Sequence, residues 1–443
     1  MVAVLTFVLA LTIWLLGLLD SLKRPSVMPV LSLQQQEIAL LAEPMVPTPL
    51  RPLLVGRDPR EALRVILSET PLNRLDDRQR LLLAGLTSNI ASRRAVLATP
   101  VVDPVLSSLS DALVGSTAHI NSTTSLQDLL SKLSDDPLLR SISCTALGGL
   151  SSQCYLDDPA RLALSRLVLS AAVPSLALLF GSLLLLRHFW QLLRGTQPAW
   201  PPLRGALPLT LADMSLLIAG GFVILSEVIA PLVVAPLLGS INWLSDSPQH
   251  DAVGVLIGYG VLAFPPLAIL LLQLRGLKQD LCPPNGWLQW QIRPAGRAIA
   301  QSIRGWFMVM PPVLLTGWLA TRLAGDQGGS NPLLELVLRS HDFLSLLLLA
   351  TTAVVLAPLF EEMIFRGVLL PVLCCRLGQI WGVFVSALVF AVAHLSIGEL
   401  VPLLVLGLGL SLLRLSSGRL FPSVLMHALW NGITFTNLLL LGG

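Results

Sequence analysis

From about residue 160 onward the chain is a succession of apolar runs, most of them close to the length that crosses a bilayer. A bilayer core takes about 20 apolar residues of helix, and in lipid every backbone N–H and C=O must be paired internally. The runs lie at about Leu167–Leu186, Met214–Leu237, Ala252–Leu274, Gly305–Thr321, Phe343–Phe360, Ile380–Leu395, Leu400–Leu413 and Phe421–Leu441. Another, Val2–Leu19, opens the sequence without a charge. It lacks a basic start and an AxA-like cleavage site, so it reads as a retained signal anchor. Composition agrees: charged residues make up 12% of the chain and hydrophobic ones 54%, against about 25% charged in a soluble domain. The expected fold class is an all-α polytopic membrane protein of about eight to nine transmembrane helices, with a soluble, mostly helical N-terminal domain. A net charge of +3 without a basic block or a Gly-rich phosphate loop argues against nucleic acid as a partner. Five cysteines in no CxxC pattern argue against a zinc ribbon or a redox motif.

Residues 20–160 have a different character, rich in Ser, Thr, Asp and Arg. They begin with a Pro-spaced linker (Pro25, Pro29, Pro44, Pro47, Pro49, Pro52) and continue with helical patterns such as Arg60–Ser68 and Arg78–Leu97. No catalytic pattern stands out there. The expected division is a signal-anchor helix at 1–19, the soluble domain at 20–160, membrane helices with an amphipathic connector at 161–304, and a catalytic core at 305–443. Within the connector, Trp287, Trp290, Arg293 and Arg297 suggest a helix lying at the membrane surface, with an ordinary loop as the alternative. Basic residues set the expected orientation: twelve, among them Arg187, Arg194, Arg204, Arg275 and Arg414, fall in alternate connections, and only Arg322 and Arg339 in the others. The twelve-charge side is then cytoplasmic and the N-terminal domain lies opposite, although Lys23 and Arg24 oppose this. Export of that domain would allow a Cys144–Cys154 disulfide. The triplet Asn121-Ser122-Thr123 matches a glycosylation sequon.

Among these apolar runs, the stretch FEEMIFRG (Phe360 to Gly367) is the anomaly. Ionisable groups at such a place are costly and are functional candidates by default. On a helix Glu362 and Arg366 are four apart and can pair, whereas Glu361 lies about 100° round and points elsewhere. Two later runs repeat an i, i+4 pattern, Phe390 with His394 and His427 with Asn431. The signatures EExxxR, FxxxH and HxxxN, in this order on apolar helices, resemble those of the CPBP (Abi, CAAX prenyl protease type II) intramembrane proteases. That resemblance covers roughly the last hundred residues and implies an integral membrane endopeptidase, in a plasma or thylakoid-type membrane, acting on a peptide or protein substrate. It gives Glu361, His394, His427 and Asn431 catalytic roles.

The residue types suit that chemistry. A glutamate in an apolar cavity is a better base near neutral pH, and a histidine across from it can relay the proton. Glu361 is therefore expected to activate water with His394, while His427 and Asn431 stabilise the oxyanion. Glu362, Arg366 and Phe390 are expected to support them, the first two as an ion pair and the last as cavity wall. Glu361, His394 and His427 could instead hold Zn²⁺, although zinc proteases usually place two histidines on one helix; a metal-free glutamate mechanism fits these residues equally well. Two non-peptidase readings remain: a scaffold or bacteriocin-immunity-type protein on the same fold, and a transporter using Glu227, which lies four residues before Pro231. His119, His188, His250 and His341 are expected to be solvated in polar connections, and Cys374 and Cys375 to be packing residues.

Overall fold

A computed structural model describes residues 2–442 except 25, 116–122, 151–153, 197–207, 240–246, 326–328, 330 and 341. Pro25, His119, Arg204, His341 and the first two sequon residues, Asn121 and Ser122, thus lie outside the described residues. Every element among the described residues is helical. The chain forms two compact units, one of residues 28–173 with 440–442, the other of residues 1–27 with 174–439.

In the first unit, local chemistry fixes where helices begin. Asp58, Asp103 and Asp136 each accept a backbone N–H at a helix start, and each is followed by proline at the first helical position. A capping aspartate satisfies an orphan donor, and proline supplies a preset φ where no N–H is needed. Buried leucines, including Leu63, Leu67, Leu81, Leu109 and Leu139, form the core. Arg78 joins Glu37 at 2.9 Å and Asp136 at 2.5 Å, tying three helices together. Cys144 and Cys154 are disulfide-bonded. The Pro-spaced stretch is not a bare linker, since Met28–Ala42 is helical.

Eight described helices are long and apolar enough to cross a membrane. They are α1 (Ala3–Ser21), α2 (Asp157–Leu193), α3 (Leu211–Leu232), α4 (His250–Arg275), α5 (Ala295–Leu323), α6 (Phe343–Leu377), α8 (Leu400–Ser417) and α9 (Phe421–Gly442). A shorter apolar helix, α7 (Gln379–Ala393), follows α6. The expected boundaries at 160/161 and 304/305 both fall inside unbroken helices, α2 and α5, because apolar runs extend into helical polar flanks. His188 sits within α2 and not in a connection. The surface helix expected between Arg275 and Arg304 is also absent as such. Beyond one short turn, Gln279–Leu281, the segment up to Pro294 is non-helical, Trp287 is buried in the core, and Arg297 already belongs to α5.

The larger correction concerns α6. The helix does not end at the glutamates but carries them in its middle, since Glu362 and Arg366 neutralise one another there. Its backbone widens into π-helical turns at Thr351–Leu356 and Met363–Leu369, on either side of the glutamate pair. Such wide turns relieve the missing N–H of Pro358 and rotate the following side chains, and they are frequent at functional sites. Helix α1 belongs to the same unit: Trp14 donates to Glu227 of α3 at 3.1 Å, so that glutamate has a partner. Near the other end of α1, Ser21 Oγ accepts from the Ile397 N–H at 3.1 Å, and Arg24 donates to the Leu395 carbonyl.

Arg414 of α8 is an outlier in this core. It is 1% exposed, and none of its guanidinium nitrogens has a hydrogen-bond partner among the described residues. Removing one uncompensated buried charge recovers part of a penalty of several kcal/mol. Arg414→Met keeps the stem and removes the charge, so its thermal midpoint in detergent is expected to rise by several degrees. A lower midpoint would show that the guanidinium stabilises the fold.

Candidate active site

The four motif positions Glu361, His394, His427 and Asn431, drawn from α6, α9 and the C-terminal end of α7, stand beside an inner layer of supporting residues. The inner layer is fully closed. Glu362 and Arg366 are both 0% exposed, and Arg366 Nη1 donates to Glu362 Oε1 at 2.7 Å. The same guanidinium donates to the Gly407 carbonyl of α8 at 3.2 Å and lies 4.1 Å from the centroid of the Phe390 ring. Gly407 is needed for this, since a Cβ there would press on the Ala387 backbone and side chain at 3.1 Å. Phe390 thus does more than line a wall: its ring also packs against His394 and His427, at 4.7 and 5.7 Å between centroids.

Glu362 has a second partner, which motif spacing alone does not reveal. His427 Nδ1 lies 3.0 Å from Glu362 Oε1. A carboxylate bound to Arg366 accepts there, so the Nδ1 of His427 carries the proton and Nε2 faces the other way. His394 is oriented in parallel fashion, with Nδ1 donating to the Phe390 carbonyl at 2.8 Å. Both imidazoles therefore turn Nε2 to the same point.

That point is Glu361. Its Oε2 lies 3.9 Å from His394 Nε2 and 4.0 Å from His427 Nε2, and it has no hydrogen-bond partner among the described residues. Neutral imidazole nitrogens and a carboxylate oxygen are all acceptors, so a species bearing protons or positive charge is what would join them. Polar atoms separated by more than 3.5 Å commonly communicate through water. The other oxygen, Oε1, accepts from the Tyr259 hydroxyl of α4 at 3.3 Å. Asn431 is turned toward α6, where its Nδ2 donates to the Ala353 carbonyl at 2.8 Å; a side-chain amide has a second N–H to offer.

Zinc fits these distances poorly. At zinc–ligand bonds of 2.0–2.1 Å, ligand atoms around a tetrahedral ion stand about 3.3 Å apart. The separations of 3.9 and 4.0 Å would open the angle between two such bonds to about 145°. Among the described residues no group of three His, Cys, Asp or Glu side chains has metal-holding geometry.

Tyr259 is the residue that reading by motif missed. A signal existed, for the chain has only two tyrosines and this one interrupts an otherwise apolar run. Hydrogen bonds to charged groups contribute about 1.5–3 kcal/mol. Tyr259→Phe is accordingly expected to slow turnover about tenfold or more while leaving the thermal midpoint near wild type. Unchanged turnover in that variant would remove Tyr259 from the site.

Fold and site together define an all-α multi-pass membrane protein that gathers two carboxylates, two imidazoles and a guanidinium at one internal place. Residues 343–433 match the family model of the type II CAAX prenyl endopeptidases, Rce1-like, and this part of the chain is a domain of that family. All four motif positions fall inside the match. Residues 28–165 match a second model, a domain of unknown function (DUF8675). Neither a curated protein nor a solved structure matches the chain.

Proposed function

We propose that this protein is an intramembrane endopeptidase of the CAAX-protease type, hydrolysing a peptide bond of a membrane-associated substrate. The observation that carries this reading is the unpartnered Oε2 of Glu361, faced by both Nε2 atoms. One water between Glu361 and His394 donates a hydrogen to each. As its oxygen attacks the carbonyl carbon, Glu361 takes the proton and later delivers it to the leaving amine. The Glu362 carboxylate holds the His427 ring through Nδ1, so that a proton carried on Nε2 in the transition state meets the developing oxyanion. The second N–H of Asn431 adds to that stabilisation. No step requires a metal.

Cleavage of a C-terminally lipidated fluorogenic peptide by the full chain in proteoliposomes tests this. Wild type should cleave, Glu361→Gln should not, and a strong chelator should leave the rate unchanged. Rate loss restored by added zinc would overturn the metal-free mechanism, and cleavage by Glu361→Gln would overturn the site.

We also propose that the active-site side is cytoplasmic and the N-terminal unit lies opposite. The charge asymmetry supports this, and so does the Cys144–Cys154 pair, since structural disulfides persist in oxidising compartments. With the free cysteines replaced, Ser107→Cys should react with an impermeant maleimide from outside, and Thr196→Cys and Asp280→Cys only after permeabilisation. The reverse pattern would invert the topology.

A further inference from the structure

A cavity of about 1120 Å³ opens between α5 and α8, and none of the catalytic candidates lines it. Two of its helical walls, on α5 and α8, are regular stripes, and α2 adds Leu185, His188 and Gln191. On α5 the lining positions run from Arg297 through Gln301, Arg304 and Met308 to Pro312, the i, i+4, i+7 pattern of one helix face. On α8 they run from Val405 through Leu408 and Leu412 to Ser416. Both stripes change character along their length. The end near Arg297 and Ser416 is polar, and the end near Pro312 and Val405 is apolar. From Arg297 to Pro312 the wall is about 22 Å long at 1.5 Å per residue, more than the ~15 Å hydrocarbon depth of one leaflet.

The polar end carries one sign of charge. Arg293, Arg297, Arg304 and Arg419 all line it, and no Asp or Glu does. Arg419 is held in place by donating to Gln301 Oε1 and, at 3.4 Å, to the Arg293 carbonyl. Burial, and after it the neighbouring charge of Arg297, hold the Arg419 guanidinium below the usual arginine range. Like charges gathered without a counter-charge favour an anion between them. Glycines keep the apolar end close-walled, since a Cβ on Gly409 would strike Val309 at 2.6 Å.

We propose that this cavity is a binding site for an anionic glycerophospholipid, its phosphate among Arg293, Arg297 and Arg304 and an acyl chain along Met308, Val405 and Leu408. A free phosphate would use only the basic end, and a neutral lipid only the apolar one. The amphiphile uses both. Met426, which precedes His427, lies behind this wall, within 2.9 Å of where a Gly305 Cβ would stand. The lipid would therefore sit one side chain away from the His427 segment.

The test is lipid retention by the full-length protein. Equilibrated with equimolar phosphatidylglycerol and phosphatidylcholine, then extracted and weighed intact by native mass spectrometry, wild type should retain phosphatidylglycerol in clear excess. Each basic residue near an anionic headgroup strengthens binding several-fold, so Arg297→Gln with Arg304→Gln should lower that preference about tenfold or more. Arg275→Gln with Arg376→Gln removes as much charge at exposed positions outside the cavity and should leave it unchanged. Leu408→Trp, which narrows the apolar end, should reduce retention of the lipid itself. Equal retention of the two lipids by wild type, or an unaltered preference in the first double variant, would overturn the proposal. Displacement of the lipid by excess glycerol 3-phosphate would also overturn it, by showing a free-anion site. Folding is monitored through the thermal midpoint, and Arg297 and Arg304, being exposed, are expected to leave it unaffected.

Discussion

Glu361→Gln is expected to abolish peptide cleavage while leaving the protein folded and its thermal midpoint at or above wild type. Two features separate activity from stability here. The carboxylate Oε2 makes no hydrogen bond among the described residues, so the amide forfeits none of these on that side. Among the described residues the carboxylate accepts a hydrogen bond from Tyr259 at Oε1, and an amide oxygen can accept there too. What the amide cannot do is take a proton from water, and general-base catalysis contributes about 10²–10⁴-fold. Activity measured per folded molecule, beside a melting curve, decides the matter. A collapsed midpoint would show that Glu361 holds the fold, and retained turnover would remove it from the chemistry.

The second large effect is expected at the neighbouring position, and it differs in kind. Glu362→Gln leaves Arg366 buried at 0% exposure with its compensating charge gone, and breaking such a pair costs about 3–5 kcal/mol. Spacing along one helix suggests that whatever protein survives should still catalyse. The contact from His427 Nδ1 to Glu362 Oε1 changes that expectation. Without the charge of the carboxylate the contact that orients the His427 ring is weakened, so turnover should fall together with stability. Rescue of stability at low temperature without rescue of turnover would establish both roles. Full turnover under those conditions would reduce Glu362 to the ion pair alone.

How far the sequence could be read depends on the range of each interaction. The Glu362–Arg366 pair was legible because both residues sit on one helix at a spacing set by the helix itself. The convergence of His394 and His427 on Glu361 followed only from resemblance to a family, since no local rule brings three helices to one point. Tyr259 and the His427–Glu362 contact escaped for the same reason: each joins residues far apart in the chain. The end of α6 was misplaced because spacing shows that Glu362 and Arg366 can pair but not that neighbouring helices bury the pair completely. The connector before α5 was misread because Trp and Arg mark an interface whether or not the backbone there is helical.

The tie between α1 and the turn after His394 bears on biosynthesis. Arg24 and Ser21 reach Leu395 and Ile397 across 371 and 376 positions of chain. His427 comes later still. A nascent chain thus carries Glu361 and Glu362, and then His394, for several seconds before α9 emerges from the ribosome. During that time the proposed water site lacks a wall and the proposed oxyanion site lacks both of its members. A hydrolase of the kind proposed, assembled in this order, would be silent beside the insertion machinery and the other unfinished membrane proteins there. On the proposed mechanism it becomes competent only when α1 and α9 are packed into one unit.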